Sequence, residues 1–424
     1  MERINRRKFL EFTSMLAGTS IMATHMPWMN VFNNPAQASN NPSDRVRIAF
    51  IGIGSRGSAL VENMLALKDR MNVDIVAVCD NYGPHLERAK EMTGTDLGFY
   101  DHRELLDRVE LDGVVIATPF HQHVEPTIDA MRAGCHVYCE KSMARHLEDV
   151  KRMYEVHKEE NKVLVIGHQR LFSPVFPEAI KLIEEGDIGK VTMVRGIRSR
   201  NSEWIFYDVP GGRGTKLDRQ RNWRLYEEYS GGMIAELGSH DFQNVNWIMG
   251  SPPIAVSGRG SRNYWKSREV WDNYSVVFEY PGGVHFTYDG LDSNVHYGQQ
   301  LRVLGDKGTL DLHNNRRYYE DPPTPPALQS LMNDIEASLF HAIPIGGATW
   351  VAPDAQTAGA GKITENEEVQ TTLLALEGFI EFIRRGEAPE KLLVEGYNAS
   401  IWTLLAEEAT KTGQIVRCPE EYIL

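Results

Sequence analysis

The sequence predicts an α/β chain with two parts. The first is a Rossmann-type, doubly wound parallel sheet. The second is an α/β domain with an open, mostly antiparallel sheet. Three observations predict this. A β-prone run, Val46 to Ile51, leads into Gly52, Gly54 and Gly57 as G-x-G-x-x-G. Short apolar strands then alternate with helical stretches up to residue 167, the pattern of a parallel sheet. After about Pro174 the texture changes to short β-prone runs separated by turn signals.

The chain has 424 residues, with 42% hydrophobic and 24% charged residues, an ordinary globular composition with ample core. The net charge of −13 argues against a nucleic-acid partner, which requires a basic surface. Residues 1–38 read as an address. Arg6-Arg7-Lys8-Phe9-Leu10 is a twin-arginine pattern, Phe12–Phe32 is weakly apolar, and Ala36-Gln37-Ala38 is a cleavage signal. The run is too polar for a stable transmembrane helix. The expected location is therefore the periplasm or beyond, with no membrane insertion once the signal is removed. Such a signal exports chains already folded, often with a cofactor bound, which suits a nucleotide domain beginning near Asp44. Cys79, Cys135, Cys139 and Cys418 form no C-x-x-C pair, and the apolar, strand-like contexts of Cys79 and Cys139 favour buried free thiols over disulfides.

The elements follow in order. In the glycine turn, Gly52 permits the tight bend and Gly54 lets backbone approach a pyrophosphate. Gly57 lets the next helix pack on the strand. The helix N-terminus, with Ser55 and Arg56, offers free N–H groups to phosphate. Ser58–Leu67 is a helix and Val73–Val78 a strand ending at Asp80, about 20 residues beyond the glycines, where a carboxylate can accept both ribose hydroxyls. Asn81 and Tyr82 follow, with no adjacent Arg for a 2′-phosphate, so NAD is favoured over NADP. Asp80 could instead cap the following helix.

His85–Met92 is a helix, and Glu104–Arg108 a short one. Gly113–Ala117 is an apolar strand ending in Thr118-Pro119. Val124–Ala133 is a helix, and His136–Cys139 a strand ending in Glu140-Lys141. Leu147–Glu159 is a helix, and Lys162–Ile166 a strand reaching Gly167-His168-Gln169-Arg170. Ligands in such sheets sit beyond the carboxyl ends of the strands. The glycine turn, Asp80, Thr118-Pro119, Glu140-Lys141 and Gln169-Arg170 all lie there.

In the second part, Pro177–Glu185 is a helix and Val191–Ser199 a strand. Asn201–Tyr229 reads as a long loop, and Met233–Met249 as a helix. Pro253–Gly258, Asn273–Tyr280, Gly283–Asp289, Gln299–Gly305 and Gly308–His313 are strands. Residues 321–361 are loop-like. Glu367–Arg385 and Gly396–Thr412 are closing helices. The expected division is residues 1–38 signal, 44–170 nucleotide-binding, 171–390 substrate and oligomer contacts, and 391–424 helix and tail.

Lys141 should point towards a nicotinamide, where desolvation would lower its pKa and its hydrogen bond could reach a substrate oxygen. It could equally be a surface lysine paired with Glu140. Glu236, His240 and Asn244 recur at i, i+4, i+8 on one helix face, so Glu236 could orient His240 as an acid–base group. A polar outer face is the alternative. Glu236 and His240 alone do not make a zinc site, since no further spaced ligands support one. Gly238 inside this helix hints at close packing or a ligand. Trp204, Trp223 and Arg224 could form a sugar-binding wall or an oligomer contact.

The run Ala117-Thr118-Pro119…His123…Ala133-Gly134…His136-Val137…Glu140-Lys141 resembles the Gfo/Idh/MocA oxidoreductases. So do Gly167-His168-Gln169-Arg170, Ile188-Gly189, Glu236-x-Gly-x-His240 and Gly305-Asp306-Lys307-Gly308-Thr309. The resemblance covers about residues 46–310. It implies a nicotinamide cofactor bound near Gly52, Gly54, Ser55, Arg56, Gly57, Asp80, Thr118, Pro119, His123, Glu140, Lys141 and Gln169. It places catalytic roles on Lys141, Glu236 and His240, and Arg170, Trp223 and Arg224 are the further candidates for contact with a sugar or glycoside. Three positions depart from the family pattern: Glu236 stands for Asp, Ser142 for Pro, and Phe120 for Asn.

The function expected is an exported, NAD-dependent oxidoreductase with a tightly held cofactor, acting on a sugar or glycoside at a ring hydroxyl such as C3, and a homo-oligomer. The alternatives are an NAD-using glycosidase of the α-N-acetylgalactosaminidase kind, which oxidises, eliminates, hydrates and reduces, and a non-catalytic binding protein.

Overall fold

A computed structural model describes residues 44–319, 361–364 and 370–424. The twin-arginine stretch and nearly all of the 321–361 segment lie outside the described residues. The first sheet holds β1 (Val46–Ile51), β2 (Val73–Cys79), β3 (Gly98–Phe99), β4 (Gly113–Ile116), β5 (His136–Cys139) and β6 (Leu164–Ile166). Their order is β3-β2-β1-β4-β5-β6 and every pairing is parallel. This is the doubly wound order whose direction reverses beside β1. Both faces are covered, so the strands read as continuous apolar runs: every residue of β4 is buried. The helices between them are α1 (Ser55–Leu67), α2 (Gly83–Thr93), α3 (His102–Arg108), α4 (Val124–Arg132) and α5 (Leu147–Glu160).

After α6 (Val175–Glu184) come β7 (Val191–Ser199), α7 (Lys216–Arg221) and α8 (Ser239–Met249). The second sheet is then completed by β8 (Ala255–Ser261), β9 (Asn273–Glu279), β10 (His285–Leu291), β11 (Gln299–Gly305), β12 (Gly308–Asp311), β13 (Arg316–Tyr319) and β14 (Gly361–Lys362). Its order is β14-β13-β12-β11-β7-β10-β9-β8. Only β10 with β7 is parallel. One face packs on α8 and on the last helix, α10 (Glu390–Thr412). Phe278, Phe286 and Tyr288 on that face are buried, whereas Ser275 and Val277 on the other are exposed. That alternation is what a sheet covered on one side requires.

The architecture is as the sequence predicts, and four local differences have physical causes. The segment 201–229 contains α7, capped by Thr215 Oγ1 accepting from Asp218 N at 3.1 Å; six residues are too few to show a helical period. Strands β13 and β14 extend the open sheet beyond the expected edge. The helix expected over Met233–Met249 is instead a π turn, Ile234–Gly238, running into α8. Finally α10 begins at Glu390, not Gly396: a Cβ on Gly396 would lie 2.7 Å from Ile166 Cβ, so this glycine lets the helix touch β6 rather than starting it.

Helix α9 (Thr371–Arg385) lies late in the chain and near the first sheet. It packs on α1 and β1, with Arg70 paired to Glu377 at 2.6 Å. A segment late in the chain thus buttresses the first sheet. Cys79, Cys135 and Cys139 are free and buried, and Cys418 is free and half-buried.

Candidate functional site

The glycine turn is built from backbone. Gly52 has φ +87°, and a Cβ there would lie 2.6 Å from Thr118 N. A Cβ on Gly57 would lie 2.0 Å from Gly52 O. Both are glycine for the fold's own sake. Gly54 differs, since a Cβ there would meet nothing within 4 Å. Its openness faces no protein atom, which suits a phosphate's approach at the start of α1, a first turn with no acidic residue.

Asp80 is buried where β2 ends. Its Oδ2 accepts from Ile53 N at 2.6 Å, and its Oδ1 from Tyr82 N at 2.8 Å. The carboxylate therefore fixes the glycine turn as well as ending β2. Each oxygen keeps lone-pair capacity for a ribose hydroxyl. Arg221 of α7 reaches the same place. Its Nη1 donates to Tyr82 Oη at 3.3 Å, and its guanidinium lies 5.1 Å from the Tyr82 ring centre. Arg88 donates to Ile53 O at 2.8 Å and to Ser58 Oγ at 3.0 Å.

Other expected cofactor contacts are engaged within the protein. Arg56 Nε donates to Glu140 Oε1 at 2.7 Å, clamping the glycine turn to the end of β5, while Ser55 beside it is exposed. His123 is buried, with Nδ1 2.8 Å from Ser142 O and Nε2 2.9 Å from Thr118 O. It is a strut between the β4 and β5 ends, and burial lowers its pKa. Thr118 and Pro119 lie at the end of β4. Gln169 leaves Oε1 buried without a hydrogen-bond partner.

Lys141 is largely enclosed, its side chain 10% exposed, and reaches the π turn. Its Nζ donates to Glu236 O at 2.8 Å and lies 4.0 Å from Glu236 Oε2. Burial pushes its pKa below the usual lysine value, against the opposing pull of Glu236. The Lys141–Ser142 peptide is cis. Glu236 Oε2 also accepts from Arg224 Nε at 3.0 Å. The expected Glu236–His240 pair is therefore replaced. The carboxylate turns to two cations, which make stronger charge-assisted partners than a neutral imidazole. Arg224 is itself sandwiched between rings, 4.2 Å from the Trp223 centre and 4.9 Å from that of Trp204. Trp223 is buried against Phe120 and His121, so it backs Arg224 and presents no open face of its own.

His240 begins α8 with Nδ1 buried and unpartnered, its ring edge-on to His168 at 5.8 Å. Burial and the nearby Arg170 and Lys141 hold its pKa well below the ordinary value. His168 has both ring nitrogens buried and unpartnered, and burial lowers its pKa to about 3. Both imidazoles are thus neutral near pH 7. Arg170 Nη1 donates to the buried Asp241 Oδ1 at 2.6 Å. Asp241 also accepts from Tyr288 Oη at 2.8 Å and meets His313 Nε2 at 3.0 Å. Gly238 is explained by packing, since a Cβ there would lie 2.8 Å from the Phe242 ring.

Sequence reasoning missed the places of His168, Asp241 and Tyr288 in this network. His168 stood within the Gly167–Arg170 run, and Asp241 beside His240. Tyr288 lies on a strand read only for its period. Among the described residues, no group of three or more His, Cys, Asp or Glu could hold a metal ion. No described helix is long and apolar enough to cross a membrane.

The NAD-binding Rossmann-fold oxidoreductase family matches residues 46–168, and the GFO/IDH/MocA C-terminal domain matches residues 176–311. Myo-inositol 2-dehydrogenase of Thermotoga maritima is 30% identical over 64% of this chain and 76% of its own length. An α-N-acetylgalactosaminidase of Shewanella oneidensis is 24% identical, over 58% of this chain and 56% of its own. A levoglucosan dehydrogenase solved with NADH and levoglucosan superposes with a TM-score of 0.67 at 20% identity, covering 89% of this chain and all of its own. The chain belongs to the Gfo/Idh/MocA family of NAD-binding oxidoreductases.

Proposed function

We propose that this family member moves a hydride between NAD and a ring hydroxyl of a sugar or glycoside, the C3 hydroxyl being one candidate. The observation that supports the reading is that Lys141, held at the π turn beyond the end of β5, lies near enough to a neutral His240 for its charge to lower the imidazole's pKa, while the glycine turn stays open at Gly54. When bound, NAD supplies the hydride acceptor. Gly54 leaves room for its pyrophosphate, and Asp80 can accept from its ribose. The neutral His240 takes the proton from the substrate hydroxyl at its free ring nitrogen. Lys141, held by the Glu236 carbonyl, donates a hydrogen bond to the same oxygen as it becomes a carbonyl. Glu236 fixes Lys141 and Arg224 rather than His240.

Tight cofactor binding, export through the twin-arginine route and a homo-oligomer belong to the same proposal. Arg221 closing on Tyr82 supports the first, and Arg6-Arg7 the second. Glycosidases among the relatives favour a second reading, in which oxidation and reduction return the bound nucleotide to its starting state while an aglycone leaves.

The test is to purify the protein, quantify bound NAD and add a panel of sugars and glycosides. Nicotinamide reduction matched to sugar oxidation supports the dehydrogenase. Aglycone release with no net change in redox state supports the glycosidase. A preparation that neither carries nor binds nicotinamide nucleotide rejects both.

A further inference from the structure

The substrate side of the site holds more cations than carboxylates. Val194, Gly196 and Arg198 of β7 alternate onto the helix-facing side of the second sheet, where Val194 is fully buried. A Cβ on Gly196 would lie 2.5 Å from the Tyr288 ring. This register brings Arg198 beside Tyr288, Arg170, Asp241 and Arg200. Arg198 donates to the neutral amide oxygen of Gln299. The carboxylates around it are already committed. Asp241 serves Arg170, Tyr288 and His313. Asp292 is shared by Arg200 and Arg268, each at 2.5 Å. Arg200 still leaves Nη2 buried without a partner.

Arg200 and Arg268 thus share one carboxylate, Asp292, while Arg198 is hydrogen-bonded to an amide oxygen and its nearby carboxylate, Asp241, is taken up by Arg170. A half-buried guanidinium is costly without a counter-charge. The surplus points the same way as the aromatic wall: Arg200 lies 3.9 Å from the Trp204 ring centre, on the ring that also meets Arg224. The planar fork of an arginine matches a carboxylate in two parallel hydrogen bonds.

We infer that the substrate carries a carboxylate, as a uronic acid or its glycoside does, and that Arg198 with Arg200 forms its binding subsite. The inference rests on the reading above for the ligand's being a sugar. It places the acid group on the sheet side of the site, away from the hydroxyl that Lys141 and His240 face.

The test measures binding separately from turnover. The holoenzyme is titrated calorimetrically with matched methyl glycosides and methyl uronosides of the gluco, galacto and manno series, which differ only at C6. A hexose 6-phosphate forms a third arm. In at least one series the acid should bind roughly ten- to a hundredfold more tightly than its neutral partner, a charge-assisted hydrogen bond's worth. Arg198→Gln should bring that ratio close to one, and Arg198→Lys should keep part of it. A neutral glycoside binding as tightly as its acid in every series overturns the inference. So does an Arg198→Gln variant that weakens both alike. Preference for the phosphate over every uronoside rejects the carboxylate. Arg198-dependent acid binding with no nicotinamide reduction and no aglycone release on any sugar keeps the subsite and rejects the oxidoreductase reading.

Discussion

The two halves of the site are finished to different degrees. On the cofactor side, the charged groups are mostly engaged within the chain: Asp80 with Ile53 and Tyr82, Arg56 Nε with Glu140, and His123 with two carbonyl oxygens, leaving Arg56 Nη2 and Gln169 Oε1 buried without partners. On the substrate side, the neighbouring His168 and His240 hold three buried ring nitrogens without partners. Buried polar groups are nearly always hydrogen-bonded, so a cluster of exceptions asks for a missing partner. The cofactor cradle is shaped by backbone before anything binds. The proposed substrate side, around His168 and His240, is polar surface that a hydroxylated ligand would complete.

The largest expected effect breaks the cradle alone. Gly54→Val adds side-chain atoms where the protein has none. It should leave the melting temperature nearly unchanged while lowering NAD affinity by roughly two orders of magnitude. A variant that melts much earlier and binds NAD normally would mean Gly54 serves the fold. Next, Glu236→Gln leaves Lys141 and Arg224 facing a neutral amide. Losing the nearby carboxylate drops the Lys141 pKa further, because Glu236 opposes the effect of burial. Turnover should fall about tenfold, with the alkaline limb of the pH–rate profile moving to lower pH. An unmoved limb would sever the Glu236–Lys141 link.

A smaller effect tests the clasp across the two halves. Arg221→Ala removes the contact with Tyr82. Bound nucleotide should then leave about fivefold faster during dialysis, and an unchanged rate would exclude Arg221 from retention.

A separate test concerns pH and reads stability rather than binding or turnover. His168 has a folded pKa of about 3, against about 6.5 when unfolded. Between these values the unfolded chain binds the extra proton, so stability falls as pH falls. The full contribution is present above about 6.5, and the slope below it is about 1.4 kcal/mol per pH unit. Urea melts at pH 7 and pH 5 should show a larger acid loss for the wild type than for His168→Gln. Equal losses would place the proton elsewhere.

The cradle was far more legible in the sequence than the pocket. Glycine spacing and apolar strands are local signals, and Gly52, Gly54, Gly57 and Asp80 stand where they were expected. The pocket depends on long-range encounters. Lys141 meets Glu236 across 95 residues, and Arg170 meets Asp241 across 71. No period announces either. The i, i+4 spacing of Glu236 and His240 suggested a pair, yet Arg224 and Lys141 take the carboxylate instead. Helix α7 was hidden by its shortness. The packing of α9 on the first sheet was hidden because nothing local records which sheet a late helix covers.

The central claim is that Lys141 and His240 manage the substrate proton while the cradle holds NAD independently. Rapid-mixing measurement of nicotinamide reduction by its absorbance, in the holoenzyme and in Lys141→Met and His240→Asn, tests it most directly. The account predicts stoichiometric bound NAD in all three proteins and a first-turnover rate at least about a hundredfold slower in each variant. First turnovers near the wild-type rate in both variants, with the nucleotide still bound, would contradict it.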